Sequence, residues 1–131
     1  MNTMLSKIVG SGLLFLLIFL SGIWLTRTDR PYPVILFTIH KLIALGSVLY
    51  YITMVVRVHQ VIPLQSDQWL AVVITALCLL ATIITGGLVS VEPVMPAFIH
   101  KMHQVFPYLT IISLGISLYL LFIRNPLIPN A

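Results

Sequence analysis

Charged residues are scarce in this sequence, and their scarcity excludes most kinds of soluble protein. They make up 8% of the 131 residues, whereas hydrophobic residues make up 60%. Soluble domains carry about 25% charged residues, so the composition predicts an integral membrane protein. The three acidic residues fall in predicted loops: Asp29, Asp67 and Glu92. Without carboxylates in the apolar runs, a carboxylate diiron site is excluded and a cation transporter or channel is disfavoured.

The single cysteine and the modest net charge exclude further kinds of protein. Cys78 has no second cysteine to pair with, so an intrachain disulfide is excluded. The formal net charge of +4 comes from Lys and Arg residues that are scattered singly. Such scattering is typical of interfacial anchors and does not indicate nucleic-acid binding. We therefore expect membrane lipids around the chain and no nucleic-acid partner.

Four apolar runs are each long enough to cross a bilayer, which takes about 20 residues per helix. They are Ile8–Leu25, Val34–Val56, Trp69–Val91 and Ala97–Ile123. Short connections make neighbouring helices antiparallel, so we predict an all-α, up-down-up-down four-helix bundle over residues 1–131, forming one transmembrane domain. The first run follows Lys7 as in a signal peptide, but its length and the lack of an A-x-A site predict a retained span.

Two stretches of the sequence affect where the predicted helices begin and end. Pro107 removes a backbone hydrogen bond inside the fourth run and predicts a bend in one long helix. The alternative is a short interfacial helix, Ala97–Phe106, followed by a span from Tyr108. The polar stretch Arg57–Gln68 is predicted to be a loop, with His59 solvated in it.

The two halves of the chain resemble each other and suggest tandem helical-hairpin repeats. The string Ile39-His40-Lys41 recurs 60 residues later as Ile99-His100-Lys101. A competing register preserves the distance from proline, because His40 follows Pro33 by seven residues and His103 follows Pro96 by seven. In both registers, histidines lie at similar depth near the starts of the second and fourth helices.

Histidines at matched depth inside membrane helices indicate a functional site, since ionisable residues are expensive there. A b-type haem takes an axial imidazole on each face, and diagonal helices of a bundle can supply the two. We predict one haem b, with His40 and His103 as the metal-ligating pair and His100 as the substitute for His103. Interhelical hydrogen bonding by the same histidines is the competing interpretation.

Further residues are predicted to line the cofactor. Small side chains would let a porphyrin edge approach the helix backbones, and lysines near the helix starts could contact haem propionates or a quinone head group. The small residues are Ser21-Gly22, Ala44, Gly46, Gly86 and Gly87, and the lysines are Lys41 and Lys101. Helix packing by the small residues and snorkelling of the lysines to lipid phosphates are the alternatives.

Two short segments resemble helices of the bacterial cytochrome b-561 family. The second helix of that family is similar to His40-Lys41-Leu42-Ile43-Ala44-Leu45-Gly46, and the start of its fourth helix is similar to Met102-His103-Gln104-Val105. The resemblance implies a four-helix, quinol-linked electron carrier in the bacterial inner membrane, with both termini in the cytoplasm. Members of this family carry two haems, and their first helix contributes a histidine. The first run here has none, so the resemblance supports a mono-haem relative.

Two functions follow from these residues. The leading prediction is a mono-haem b-type membrane cytochrome, which would take electrons from a quinol as an oxidoreductase or carrier and pass them to a protein partner. The alternative is a non-redox accessory or structural subunit of a larger membrane complex. Bound haem distinguishes the two.

Overall fold

The computed structural model describes residues 3–28, 32–91 and 96–124. Its helices are α1 (Thr3–Thr26), α2 (Val34–Val61), α3 (Ser66–Val91) and α4 (Ala97–Leu118), and α4 continues into a π-helical turn, Tyr119–Ile123. No residue in the described ranges lies in a β-strand. All four helices are long and apolar enough to span a membrane. The predicted all-helical class with four apolar helices is therefore confirmed.

Apolar side chains cover the outward faces of these helices. Leu13, Leu49, Leu77 and Ile112, one from each helix, are each more than half exposed. A helix on the surface of a soluble protein places polar residues on that face. An α-helix also satisfies all its backbone hydrogen bonds within one segment, as a lipid environment requires. The pattern is typical of membrane-spanning helices.

The chain divides into two compact units, and the first is an antiparallel hairpin of α1 and α2. Ser21, near the end of α1, meets His40 near the start of α2. Ser11, earlier in α1, meets Met54, later in α2. The end of α1 thus contacts the start of α2, and an earlier part of α1 contacts a later part of α2, so the two helices are antiparallel.

The second unit is an antiparallel hairpin of α3, α4 and the π-helical turn. The hydroxyls of Thr82 and Thr110 lie 3.1 Å apart between the two helices. At the far end of the hairpin, Nε2 of Gln68 donates to the backbone carbonyl of Leu120 at 2.9 Å. The antiparallel arrangement of α3 and α4 thus brings the start of α3 beside the π-helical turn at the end of α4.

α2 and α3 both extend past the apolar runs, and two predicted loop positions are wrong. His59 lies in the last turn of α2, where it is exposed, and Asp67 lies in the first turn of α3. Exposed polar side chains at a helix end do not stop the helix, and a carboxylate is favoured beside the positive end of the helix dipole. Asp29 and Glu92, also predicted in loops, lie outside the described residues.

α4 runs as one helix through Pro107, in agreement with the long-helix prediction. It widens at its end, where the Arg124 N–H donates to the Tyr119 carbonyl at 3.1 Å. That bond reaches back five residues and defines a π-helical turn. Leu121 and Phe122 of this turn are almost completely buried, so the wider turn is a packed part of the second hairpin.

The buried positions of the two hairpins recur in register. Each buried residue of α2 has a buried counterpart 63 positions later, and the buried residues described in α1 have counterparts 64 positions later in α3. The pairs are Ser47/Thr110, Tyr51/Leu114, Met54/Ser117, Val55/Leu118 and Val58/Leu121 for α2, and Ser11/Thr75, Phe15/Leu79 and Leu25/Val89 for α1. Burial therefore follows the register that preserves the proline-to-histidine distance, and not the 60-residue one.

Candidate functional site

His40 and His103 occupy the same place in their helices. Each is the seventh residue, of α2 and of α4 respectively, so its Cα lies about 9 Å along the helix from the first residue. Both side chains are half-buried. The two predicted ligands thus share one position along their helices, each within its own hairpin.

A serine of the neighbouring helix binds His40. The Nδ1 atom of His40 lies 2.8 Å from the hydroxyl oxygen of Ser21 on α1. The same hydroxyl lies 2.9 Å from the carbonyl oxygen of Ile18, to which it can donate. A hydroxyl has one hydrogen and two lone pairs, so Ser21 accepts from Nδ1 when its own hydrogen is on that carbonyl. Ser21 is then an acceptor for the Nδ1–H tautomer of His40, in which the lone pair of the ring is on Nε2.

A threonine binds His103 in the same way. The Nδ1 atom of His103 lies 3.2 Å from the hydroxyl oxygen of Thr85 on α3, and that hydroxyl donates to the carbonyl of Ala81 at 2.7 Å. When the hydroxyl hydrogen of Thr85 is on that carbonyl, Thr85 is likewise an acceptor for the Nδ1–H tautomer, in which the lone pair of the ring is on Nε2.

In both hairpins the residue after the hydroxyl is a glycine, which lets the imidazole approach the neighbouring helix. A Cβ added to Gly22 would lie 3.3 Å from Cε1 of His40. A Cβ added to Gly86 would lie 2.7 Å from Cε1 of His103. Real Cβ atoms do not come within 2.7 Å of another heavy atom, so the observed position of the His103 imidazole requires glycine at position 86.

The other small residues predicted to line a cofactor have different surroundings. A Cβ added to Gly46 or Gly87 would meet no atom within 4 Å among the described residues outside its own helix backbone and chain neighbours. Ala44, one turn after His40, is half-buried. Of the predicted small residues, Ser21, Gly22 and Gly86 are the ones that contact a histidine.

The two predicted lysines lie near the starts of α2 and α4. The Nζ atom of Lys41 lies 4.1 Å from the ring centroid of Phe37, and Phe37 stacks on Tyr32 with centroids 6.0 Å apart. A cation over an aromatic face is attracted by the negative face of the ring, which holds this ammonium near the start of α2. Lys101 is exposed.

His100, the substitute ligand in the prediction, has different surroundings from His103. It lies one turn earlier in α4 and is half-buried. Thr85 and Gly86 of α3 contact His103, whereas no hydrogen bond joins the side chain of His100 to another residue in the ranges 3–28, 32–91 and 96–124. Of the two histidines near the start of α4, His103 is therefore the one whose surroundings match those of His40.

Thr85 is the site residue that the sequence pattern alone does not single out. Ser21 and Thr85 precede their histidines by 19 and 18 residues, and each is followed by glycine. These two dipeptides, Ser21-Gly22 and Thr85-Gly86, become equivalent only in the 64-residue register that relates α1 to α3. That signal is present in the sequence, but the exact Ile-His-Lys repeat points to another register.

The donor chemistry of the two histidines fits a haem iron. Neutral imidazole that donates one N–H to a fixed acceptor and keeps a lone pair on the other nitrogen is the form that ligates metals. Within the described parts of the chain, no three His, Cys, Asp or Glu residues group closely enough to hold a metal ion between them. A haem needs two axial ligands only, and each hairpin has one imidazole, of His40 or His103, whose Nδ1 lies beside a hydroxyl of the neighbouring helix.

Comparisons with protein-family models, with curated proteins and with solved structures give no significant match to this chain. The candidate function therefore rests on the residues described above.

Proposed function

We propose that this chain is a mono-haem b-type membrane cytochrome in which His40 and His103 are the axial ligands of one haem iron. The observation that supports the proposal is the pair of imidazoles at the same helical position, each with its Nδ1 bound to a hydroxyl of the neighbouring helix. Metal-ligating histidines commonly donate their other N–H to an acceptor that fixes the ring. Ser21 and Thr85 would be those acceptors.

In this proposal the two hairpins associate as an up-down-up-down four-helix bundle, one domain in a bacterial inner membrane. α2 and α4 would then run in the same direction across the bilayer. Histidines at the seventh position of each would lie at the same depth, and diagonal helices would present them to opposite faces of one porphyrin. The resemblance to the cytochrome b-561 family would place both termini in the cytoplasm and the histidines near the periplasmic side.

A bound haem would supply one-electron transfer between Fe(II) and Fe(III). The residues of the chain would ligate the iron, exclude water and hold the charged edge of the porphyrin. Lys41, with its ammonium over Phe37, and the exposed Lys101 lie at the same helix ends as the histidines. They could pair with haem propionates or with a quinone head group. The electron donor would be a quinol and the acceptor a protein partner.

A non-redox accessory subunit is the second candidate, and the same hydrogen bonds favour it. The bonds from His40 to Ser21 and from His103 to Thr85 join two helices in each hairpin. Such interhelical bonds stabilise membrane bundles by about 0.6 kcal/mol each on average, so they could serve packing alone. This candidate predicts co-purification with a large membrane complex and no bound haem.

Haem content separates the two candidates. The chain would be expressed in haem-replete cells, purified in mild detergent and assayed as the pyridine haemochrome against protein concentration. We expect one haem b per chain. A colourless protein with intact helix content, measured by far-ultraviolet circular dichroism, would contradict the cytochrome. In that case His40→Ala should also leave the fold and complex assembly largely unchanged.

A further inference from the structure

Each hydroxyl beside a histidine makes two different hydrogen bonds at once. Ser21 donates to the Ile18 carbonyl of its own helix and accepts from His40. Thr85 donates to the Ala81 carbonyl of its own helix and accepts from His103. Since each hydroxyl has one hydrogen, a hydroxyl that donates to its carbonyl is an acceptor toward the imidazole. The geometry of both contacts therefore accommodates the Nδ1–H tautomer.

We propose that Ser21 and Thr85 are positioning residues that hold both imidazoles as Nδ1–H tautomers and set the reduction potential of the haem. This inference rests on the proposed function. A hydrogen bond from Nδ1–H makes the opposite nitrogen of the ring more basic. A more basic axial ligand stabilises Fe(III) relative to Fe(II), so the two hydroxyls lower the midpoint potential.

The recurrence of this arrangement in both hairpins argues against an accidental contact. One hairpin uses serine and the other uses threonine, yet the oxygen that accepts from Nδ1 is a hydroxyl in both. The two bonds differ in length, since the Ser21–His40 distance is 2.8 Å and the Thr85–His103 distance is 3.2 Å. A shorter hydrogen bond is the stronger one in this range, so Ser21 should shift the potential more than Thr85.

The first test is potentiometric titration of the purified haem protein. Ser21→Ala and Thr85→Ala should each raise the midpoint potential, with the larger rise for Ser21→Ala. The conservative variants Ser21→Thr and Thr85→Ser should keep it close to the wild-type value, because each retains a hydroxyl acceptor. An unchanged potential in both alanine variants, with haem still bound, would overturn the inference and leave the cytochrome proposal standing.

Matched controls come from hydroxyls that bond only to their own helix. Ser47 donates to the Ile43 carbonyl at 2.8 Å and Thr75 donates to the Ala71 carbonyl at 2.8 Å. Both are completely buried, so Ser47→Ala and Thr75→Ala report the effect of losing a buried hydroxyl. These controls should leave the potential unchanged, and a rise equal to that of Ser21→Ala would overturn the inference.

A second measurement does not depend on bound haem. Nitrogen-15 spectra of the histidine rings in the apoprotein distinguish the Nδ1–H from the Nε2–H tautomer. We expect the Nδ1–H form for His40 and His103 in the wild type, and a mixture at His40 in Ser21→Ala. An Nε2–H form at both histidines in the wild type would overturn the inference, and a wild type unable to bind haem would overturn it together with the proposed function.

Loss of haem by an alanine variant is also informative. If Ser21→Ala folds but binds no haem, Ser21→Thr should bind haem, because threonine supplies a hydroxyl at the same position. Equal loss of haem in Ser21→Thr would contradict a positioning role for the hydroxyl and would indicate that only the size of the side chain matters.

Discussion

Gly86 lies so close to His103 that a Cβ on this glycine would come within 2.7 Å of Cε1 of the imidazole. Gly86→Ala should therefore displace His103 from its place against α3. Overpacking costs about 1–3 kcal/mol, so in the proposed cytochrome the affinity for haem should fall roughly tenfold to a hundredfold. Haem titration of the apoprotein, followed by absorbance, measures the change.

Two other glycines provide the controls for that variant. Gly22→Ala should have a smaller effect, since its added Cβ would lie 3.3 Å from Cε1 of His40 and needs a shift of only a few tenths of an ångström. Gly115→Ala places a Cβ where no described atom outside its own helix backbone and chain neighbours lies within 4 Å, and should leave haem affinity unchanged. Equal affinities for Gly86→Ala and Gly115→Ala would contradict the close packing of His103 on α3.

The contact between Thr82 and Thr110 should stabilise the second hairpin only weakly. Each hydroxyl has one hydrogen and also lies within hydrogen-bond distance of a carbonyl of its own helix, Thr82 of Cys78 at 2.8 Å and Thr110 of Phe106 at 2.9 Å. A bond between the two hydroxyls therefore requires one of them to give up its bond to a carbonyl. A double-mutant cycle with valine at both positions should give a coupling free energy of about 0.6 kcal/mol, the average for interhelical bonds in membranes. Unfolding in mixed micelles, followed by circular dichroism, gives the free energies of unfolding of the wild type, the two single variants and the double variant.

A cycle between Thr75 and Thr110 is the control for that pair. Thr75 lies about 10 Å along α3 from Thr82, by the rise per residue, and effects at such separations usually add. Coupling in the Thr75 cycle as large as in the Thr82 cycle would show that the measured term does not come from the contact.

Gln68 should be one of the most sensitive polar positions of the second hairpin. It is 3% exposed, its Oε1 accepts from the Gln65 N–H at 2.9 Å, and its Nε2 donates to the Leu120 carbonyl in the π-helical turn. Gln68→Ala leaves two backbone groups without this partner, so we expect a loss of about 1–3 kcal/mol in the free energy of unfolding. Denaturant unfolding of the detergent-solubilised protein measures it.

The residue before Gln68 offers a matched comparison. Asp67 of α3 pairs with Arg124, directly after the π-helical turn, but their side chains are 40% and 56% exposed. An exposed ion pair contributes about 0.2–1 kcal/mol, so Asp67→Asn should cost less than Gln68→Ala. A larger loss for Asp67→Asn would contradict this ranking of the two contacts.

Membrane topology can be tested with single cysteines introduced after Cys78→Ser. Thr28 precedes α2 and Gln60 lies at its other end. A spanning α2 requires that a membrane-impermeant maleimide label cysteines at these positions from opposite sides. The proposed orientation puts position 28 in the periplasm and position 60 in the cytoplasm. Labelling of both from one side would contradict a membrane-spanning α2, and reversed labelling would contradict only the orientation.

Hydropathy predicts the four helices because length and apolar composition are local properties. It fails at the helix ends, where His59 and Asp67 continue a helix although their polarity suggests a loop. It also gives no indication of the π-helical turn, since Tyr119–Ile123 is as apolar as the residues before it. The hydrogen-bond register of a helix end depends on tertiary partners such as Gln68, which a local pattern does not contain.

The candidate site is predictable in part. His40 and His103 follow from depth and from their distance to proline, but Thr85 depends on which face of α3 packs against α4. An exact three-residue string favours the 60-residue register, whereas buried faces follow shifts of 63 and 64 residues. Burial is set by the packing of whole helix faces, so it reports the repeat more reliably than a short identity does.

The most direct test of a haem held by His40 and His103 is the reduced-minus-oxidised visible spectrum of the wild type and four histidine variants. We predict a b-type spectrum in the wild type that is lost in His40→Ala and in His103→Ala. His59→Ala, at the exposed end of α2, and His100→Ala should keep it. A wild type with no haem spectrum, or a spectrum that survives in His40→Ala or His103→Ala, would contradict the assignment of these two histidines as the axial pair.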